Sequence, residues 1–274
     1  MPIWLEFLTI LLSGLLGLIA PTGLAVDRTA ENAIRSQLNK VDRLEVRVDN
    51  APSYHLLQGK VERVRIAGRG LKLKQQDIRI AEVELETDPI DLDPQSLGKK
   101  QPKLRHSLSA GVRLVLEQGD INQVLQSPTV AKILRDLDIP EIGRQDEDSQ
   151  TSYKFVNPRV ELLPNDRLRF SVELTADNQP TIAIAAESGL GVVAGRQIQL
   201  VKPVVYVNRE EVTEQLVSAI ATSVSKKLDL RNLDEYGLKA RILQLKVNPQ
   251  KLEIVGFLQV EPSSQLWQNR KSST

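Results

Sequence analysis

Cysteine is absent from this chain of 274 residues. A disulfide framework, a thiolate nucleophile and any zinc site built on sulfur are therefore excluded, while the compartment stays open. Aromatic side chains make up only 4% of the sequence, which leaves few platforms for stacking bases or sugars and puts core packing on Val, Ile and Leu. An excess of one charge is also missing: 36 Lys and Arg stand against 35 Asp and Glu, a net charge of +1. No global field gathers nucleic acid, which is excluded as an expected partner.

Catalytic vocabulary is scarce as well. The two histidines, His55 and His106, form no HxxxH or HExxH spacing and have no acid placed in sequence to build a triad. A lone imidazole without an orienting group is surface or packing. Gly189-Leu190-Gly191 with Gly195 lacks the lysine of a phosphate loop and precedes a strand-like segment. No catalytic residue, metal or cofactor is expected, and an enzyme would need distant residues such as His106, Ser107 and Asp136 to meet in space.

The N-terminus differs sharply from the rest. Ile3 to Ala20 is apolar or small except for Glu6 and Thr9, about long enough to cross a bilayer. Residues 1–25 are read as a membrane-targeting segment, either signal peptide or anchor. Gly23-Leu24-Ala25 offers a small-x-small cleavage site, but the cationic stretch that usually opens a signal peptide is missing. The first basic residues, Arg28 and Arg35, follow the segment, which favours a cytoplasmic body over an exported one. The alternative is a buried helix of the domain itself.

From Val26 the pattern turns helical, with Val26, Ala30, Ala33, Ile34, Leu38 and Val41 at steps of three and four and Glu31 one turn before Arg35. Apolar and charged residues then alternate at Leu44–Val48, Lys60–Ile66, Asp77–Leu85, Tyr153–Phe155, Arg167–Leu174, Thr181–Ile184, Gln197–Val201 and Arg241–Val247, predicting half-buried strands. Turns are predicted around Pro52, Gly68 to Gly70, Asp88-Pro89, Asp93-Pro94 and Pro164-Asn165-Asp166. The fold class is α+β, mostly antiparallel sheet with amphipathic helices, in a single domain over 26–262 followed by a polar tail at 263–274. Glu141 to Gln150 is charged and read as a loop.

Two stretches look alike when one is slid 91 positions onto the other, which suggests an internal repeat or a chance likeness of two amphipathic segments. In the first, Val112 to Leu116 leads into a helix with Asp120 and Gln123 as cap and partner; in the second, Val204 to Val207 leads into a helix with Asn208 and Glu211 in those roles. The second helix carries an apolar stripe of Val212, Leu216, Ile220 and Val224, widened by Val217, Ala221 and Leu228.

Candidate binding residues come from these patterns. Leu168, Phe170, Val172 and Leu174 occupy one face of the clearest strand, with Ile182 and Ile184 on its hairpin partner and Leu216, Ile220 and Val224 on the helix. They are the candidate lining of an apolar groove. Lys60, Arg63, Arg65, Arg69, Lys72, Lys74 and Arg79 crowd neighbouring strands, and are read either as a wet face or as a surface for anionic headgroups. Glu82, Glu84, Glu86, Asp88, Asp91 and Asp93 could invite calcium, but the first three alternate with Val83, Leu85 and Thr87, as the solvated edge of a strand requires.

The run Leu5-Glu6-Phe7-Leu8-Thr9-Ile10-Leu11-Leu12-Ser13-Gly14-Leu15-Leu16-Gly17-Leu18, the helix from Val26 to Leu38, and the segments Asp120-Ile121-Asn122 and Ser127-Pro128 together resemble the LmeA-like phospholipid-binding proteins, a bacterial family. The resemblance covers most of Val26 to Pro262. It implies a tubular lipid-binding-like fold, in which a curved antiparallel sheet wraps a long helix and leaves an apolar groove for acyl chains. It brings no catalytic residues. Phospholipid and the membrane surface are the implied partners and the bacterial cell envelope is the implied location, with the periplasmic or exported side preferred to the cytoplasmic face. The expected function is binding of phospholipid or a similar long apolar ligand, with transfer as an extension. The alternative is a non-enzymatic envelope scaffold whose core is closed by its own side chains.

Overall fold

The computed structural model describes residues 31–32, 34–36, 38–49, 53–74, 79–96, 103–127, 130–131, 134, 154–176 and 179–264. The apolar segment at 1–25, the stretch from Glu141 to Gln150, and Asp136 lie outside those residues. The chain divides into two compact units: Met1–Val115 with Leu230–Gln244 and Ile254–Thr274, and Leu116–Asp229 with Leu245–Glu253.

In chain order the strands begin with β1 (Leu38–Lys40), β2 (Arg43–Asp49), β3 (Lys60–Val61), β4 (Arg63–Leu73), β5 (Arg79–Thr87), β6 (Ile90–Asp91) and β7 (Leu108–Glu117). Helix α1 (Gln118–Leu125) follows, then β8 (Lys154–Leu163), β9 (Arg167–Thr175), β10 (Ile182–Val193), β11 (Gln197–Val207), β12 (Glu210–Glu211), helix α2 (Glu214–Lys227), β13 (Leu238–Val247) and β14 (Lys251–Val260). Strand β4 pairs antiparallel with β1, β2 and β5, as do β5 with β7, β3 with β6, and each neighbour from β8 to β12, so the α+β class with a mostly antiparallel sheet is the observed one.

The first unit holds an open sheet in the order β1-β4-β5-β7-β14-β13, with β2 also on β4. Its apolar face is built by strand parity: Val64, Ile66, Leu71 and Leu73 of β4 are buried beside Val83 and Leu85 of β5. Ahead of that sheet, Ile34 is fully buried and Arg35 reaches Glu31 one turn back at 2.7 Å. Gly68 and Gly70 lie inside β4, not in the turn their composition predicts. β4 changes partner between them and its end, from β2 to β1. At that point Gly70 has φ +58° and Asp42 packs where a Cβ would stand. The glycine is there for the backbone's approach and its left-handed conformation, and the hydrogen-bond register overrides the local turn propensity.

The second unit is a five-stranded antiparallel meander in the order β12-β11-β10-β9-β8. The predicted hairpin at Pro164-Asn165-Asp166 joins β8 to β9, with Asn165 and Asp166 at φ 61° and 55°. Register shifts between Val156 and Arg159 and between Glu187 and Gly189 mark bulges, which bend their strands and increase twist. Asn208 does not cap a helix. It shares with Arg209 a two-residue turn between β11 and β12, φ 51° and 72°, and α2 begins later, after Thr213. Asn208 also exchanges two bonds with the edge of Ala183, its amide donating to the Ala183 carbonyl at 2.8 Å and its Oδ1 accepting from the Ala183 amide at 3.0 Å.

Helix α1 does start on a capping box, but one shifted back by three positions. Glu117 is the cap and Asp120 the reciprocal partner, accepting the Glu117 amide at 3.2 Å. Three amides spaced one turn apart on α1 then bond the outer edge of β8. Gln118 accepts from the Leu162 amide at 2.8 Å, Asn122 accepts from the Val160 amide at 2.6 Å and donates to its carbonyl at 3.0 Å, and Gln126 donates to the Pro158 carbonyl at 2.8 Å. Spacing of i, i+4, i+8 on the helix matches steps of two along the strand, because both advance by about 6 Å. An edge strand that would otherwise offer free backbone groups is thereby covered. Replacing Asn122 by Leu should destabilise the chain by about 1–3 kcal/mol in urea denaturation, since Val160 loses partners for both backbone groups. A midpoint equal to that of the parent would show that the ladder contributes nothing.

Candidate functional site

The apolar face of the second unit is set by register. Across β9 and β10, Leu174 stands opposite Ile182, Val172 opposite Ile184 and Phe170 opposite Ala186; β11 adds Val205 opposite Ala186 and Val207 opposite Ile184. Val172, Leu174, Ile184 and Val205 form the buried centre, between 2% and 8% exposed. Around them Phe155, Phe170, Ile182, Ala186, Val207, Val212, Val217 and Ile220 are packed but only partly buried.

Six of the predicted groove residues, Phe170, Val172, Leu174, Ile182, Ile184 and Ile220, thus meet in one cluster. Leu168 stands half-buried between Leu162 and Ser188, and Leu216 and Val224 are half-buried on α2, outside that cluster. Phe155, Ala186, Val205 and Val207 are the strand members the sequence pattern missed. Val204 to Val207 is an uninterrupted apolar run, so alternation gave no sign of which face each residue takes. Val212 belongs to the connection before α2 rather than to its helical stripe. No side chain of the 14-residue α2 is fully buried. A helix that packs this lightly leaves apolar surface on both itself and the sheet accessible.

The opposite face of the same sheet is polar. Arg169 bonds Glu161 at 3.0 Å and Glu187 at 3.2 Å, and Arg167 bonds Glu187 at 3.1 Å. Hydrogen bonds from Arg169 and then Arg167 hold the Glu187 carboxyl below the usual carboxylate range, against a smaller opposing effect of burial. Beside this ladder lies a concavity of about 710 Å³, with Ser171, Ala183 and Ala185 as its floor and Asn157, Arg159, Glu173, Tyr206 and Arg209 around it.

In the first unit four of the seven predicted basic residues, Lys60, Arg63, Arg65 and Arg69, face acids. Arg63 reaches Glu86 at 3.0 Å, Arg65 bonds Asp49, and Arg69 approaches Glu82 at 4.0 Å. Arg113 of β7 bonds Glu82 at 3.0 Å and Glu84 at 3.5 Å. The acids of β5 are therefore the middle rail of a charged ladder, sitting opposite Arg65 and Arg69 by register. Lys74 donates to the Ser36 carbonyl at 2.6 Å, Lys72 stands opposite Arg79, and Lys60 is exposed opposite Asp91. Matched charges at such spacing largely cancel a few ångströms above the sheet. A second concavity, about 790 Å³, opens among Glu45, Arg47, Arg65, Glu84 and Arg113 on one side and Leu243 and Val255 on the other.

His106 places Nδ1 3.2 Å from Asp91 Oδ2, with three quarters of its side chain in solvent. His55 packs edge-on against Tyr54, ring centroids 4.7 Å apart. The His106–Asp91 pair was invisible in sequence because the two residues stand 15 positions apart. Among the described residues no group of His, Asp and Glu is arranged to hold a metal ion, and no helix is long and apolar enough to cross a membrane.

The family model described as LmeA-like phospholipid-binding matches residues 19–257. The chain belongs to that family. No curated protein and no solved structure matches it. The matched span of this LmeA-like chain runs through both units and ends within β14, so the apolar face, the polar concavity and the charged ladder all lie inside it. LmeA-like proteins are phospholipid binders by family, not a family of enzymes. The segments that carry the resemblance around Asp120 and Asn122 serve the fold: they cap α1 and cover β8.

Two carboxyls with lowered pKa link stability to pH. Asp49, lowered chiefly by its bond from Arg65, and Glu187 both have folded pKa values below their unfolded ones. Their contribution is complete above the unfolded carboxylate range, near pH 4, and is lost as pH falls through the folded values. The urea midpoint should fall from pH 5 to pH 3, and less steeply in Arg65→Gln with Arg167→Gln and Arg169→Gln. Equal slopes for parent and variant would contradict the assignment.

Proposed function

We propose that this LmeA-like protein binds phospholipid by laying the acyl chains along the apolar face of its second unit, beside α2. The observation that carries the reading is the incomplete burial of that face: α2 buries none of its side chains fully, and Phe155, Phe170, Ile182 and Ile220 ring a buried centre while keeping apolar area open. A scaffold closed by its own side chains would have sealed the stripe Leu216, Ile220 and Val224 against the sheet, and these stay half-exposed.

Energetics favour such a loose face for a lipid ligand. Burying a methylene from water yields about 0.8 kcal/mol, but a lipid leaving a bilayer starts from an equally apolar medium. A site need only match the membrane, and one that bound far better would not release its cargo. Transfer between membranes, at the periplasmic or exported side of the envelope, is compatible with that balance. The acids interleaved with Arg63, Arg65 and Arg69 weaken the attraction those residues exert on anionic headgroups, so lipid recognition rests on the apolar face first.

Tryptophan scanning tests the reading. Ile220→Trp fills a partly open position and should deplete the phospholipid extracted from the purified protein, read by mass spectrometry, while the melting temperature stays near the parent's. Val172→Trp enters the buried centre and should cost about 1–3 kcal/mol through overpacking. A full lipid load in Ile220→Trp and likewise in Leu216→Trp and Val224→Trp would favour the self-packed scaffold.

A further inference from the structure

The concavity of about 710 Å³ on the polar face of the second unit lies across the sheet from the proposed lipid face. Its floor is one cross-strand row, Arg159 of β8 opposite Ser171 of β9, opposite Ala185 of β10, opposite Tyr206 of β11. Two positions in the middle of that row, Ser171 and Ala185, and Ala183 beside them, carry small side chains, and a trough results. Arg159 and Arg209 flank it from opposite edges of the meander. The row spans three strand spacings, roughly 14 Å at ~4.8 Å each, a width two long guanidinium side chains reaching inward cover together.

Backbone irregularity puts both arginines there. Arg159 follows the bulge at Asn157, φ 55°, where the pairing of β8 shifts register. Arg209 takes the second position of the β11–β12 turn at φ 72°, where glycine is the favoured residue of a two-residue turn with both central φ values positive. Among the described residues neither arginine has an ion-pair or hydrogen-bond partner, whereas Arg167 and Arg169 on the same face are both engaged by Glu187 and Glu161. One acid, Glu173, lines the trough, and a second, Glu211, lies on the neighbouring β12. Glu173 is held by Asn157 at 3.0 Å, and Glu211 stands opposite Tyr206 at the outer edge.

We propose that this trough binds a phosphate group, as a phosphate ester held between Arg159 and Arg209 over Ser171, Ala183 and Ala185. Two guanidinium forks match the charge and the several acceptor oxygens of phosphate, while a carboxylate would occupy only one of them. The Ser171 and Tyr206 hydroxyls and the Asn157 amide supply further polar groups at the walls. The volume leaves room for a substituent of glycerol size beside the phosphate. That chemistry is shared by a phospholipid headgroup and by a soluble phosphate ester. Because the trough and the apolar face are on opposite sides of one sheet, the phosphate site stands or falls independently of the acyl-chain reading.

Equilibrium dialysis of the full chain in a non-ionic detergent against radiolabelled glycerol phosphate tests the site. Binding should be saturable and weakened by salt. Arg159→Gln and Arg209→Gln should each weaken it about tenfold, the loss of one charge-assisted contact. Arg169→Gln, on the same face but engaged elsewhere, should leave it unchanged, and Arg159→Lys should retain part of it. Doping the micelles with phosphatidylglycerol identifies the source: competition, with none from diacylglycerol, assigns the site to lipid headgroups, and its absence assigns it to soluble phosphate esters, the phosphate site standing in both cases. Failure to saturate, or equal binding by the parent and the Arg159→Gln/Arg209→Gln double variant, overturns the proposal.

Discussion

Successive side chains of a strand point to opposite faces, and in this chain each sheet turns that geometric rule into a division of labour. In the first unit the odd positions of β4, Arg63, Arg65 and Arg69, meet the even acids of β5, while Val64, Ile66, Val83 and Leu85 pack on the other side. A slip of one residue would bury the charges and expose the core, so the pairing register is strongly specified. The ion pairs themselves contribute little, since exposed pairs are worth about 0–1 kcal/mol each. Their consequence is geometric: they mark which face is wet, and the apolar residues between them do the packing. The same division in the second unit produces both features of functional interest, a loosely covered apolar face and a polar face with a trough.

The two helices of known extent in the second unit treat that sheet differently. Helix α1 engages it through Gln118, Asn122 and Gln126, side-chain amides that bond the backbone of β8 and close an edge. Helix α2 engages it through aliphatic contacts that leave every one of its side chains short of full burial. One helix completes the hydrogen bonding of the fold; the other leaves apolar surface for a ligand. A lipid binder needs both, because a sheet with an open edge and an open face would be prone to self-association.

Much of the fold was legible in sequence, and the exceptions have physical causes. β2 and β9 alternate strictly and were placed within a residue or two. β14 escaped because Ile254-Val255-Gly256-Phe257-Leu258 is an apolar run without alternation, and such a run gives no period to detect. Gly68 and Gly70 looked like a turn because glycine is permissive, yet the chain uses that permissiveness inside a strand. Asp120 does take part in a capping box, but as the third helical residue, since Glu117 is a usable cap whose acceptor oxygen resembles that of aspartate. Parity brought Phe170, Val172, Leu174, Ile182 and Ile184 to one cluster but not Leu168 of the same strand; Leu216 and Val224 were not separable from Ile220, because a stripe on a helix does not say which turn of it meets the sheet. The phosphate trough could not be read at all, as it depends on the register of four strands and on a bulge at Asn157.

The central claim, that acyl chains lie on the apolar face of the second unit, is tested most directly by photo-crosslinking the purified chain with a phospholipid carrying a diazirine in its acyl chain, followed by peptide mass spectrometry. The account predicts label on Phe155, Phe170, Ile182 and Ile220. Label confined to residues of the first unit, or to the polar face around Arg159 and Tyr206, would contradict it.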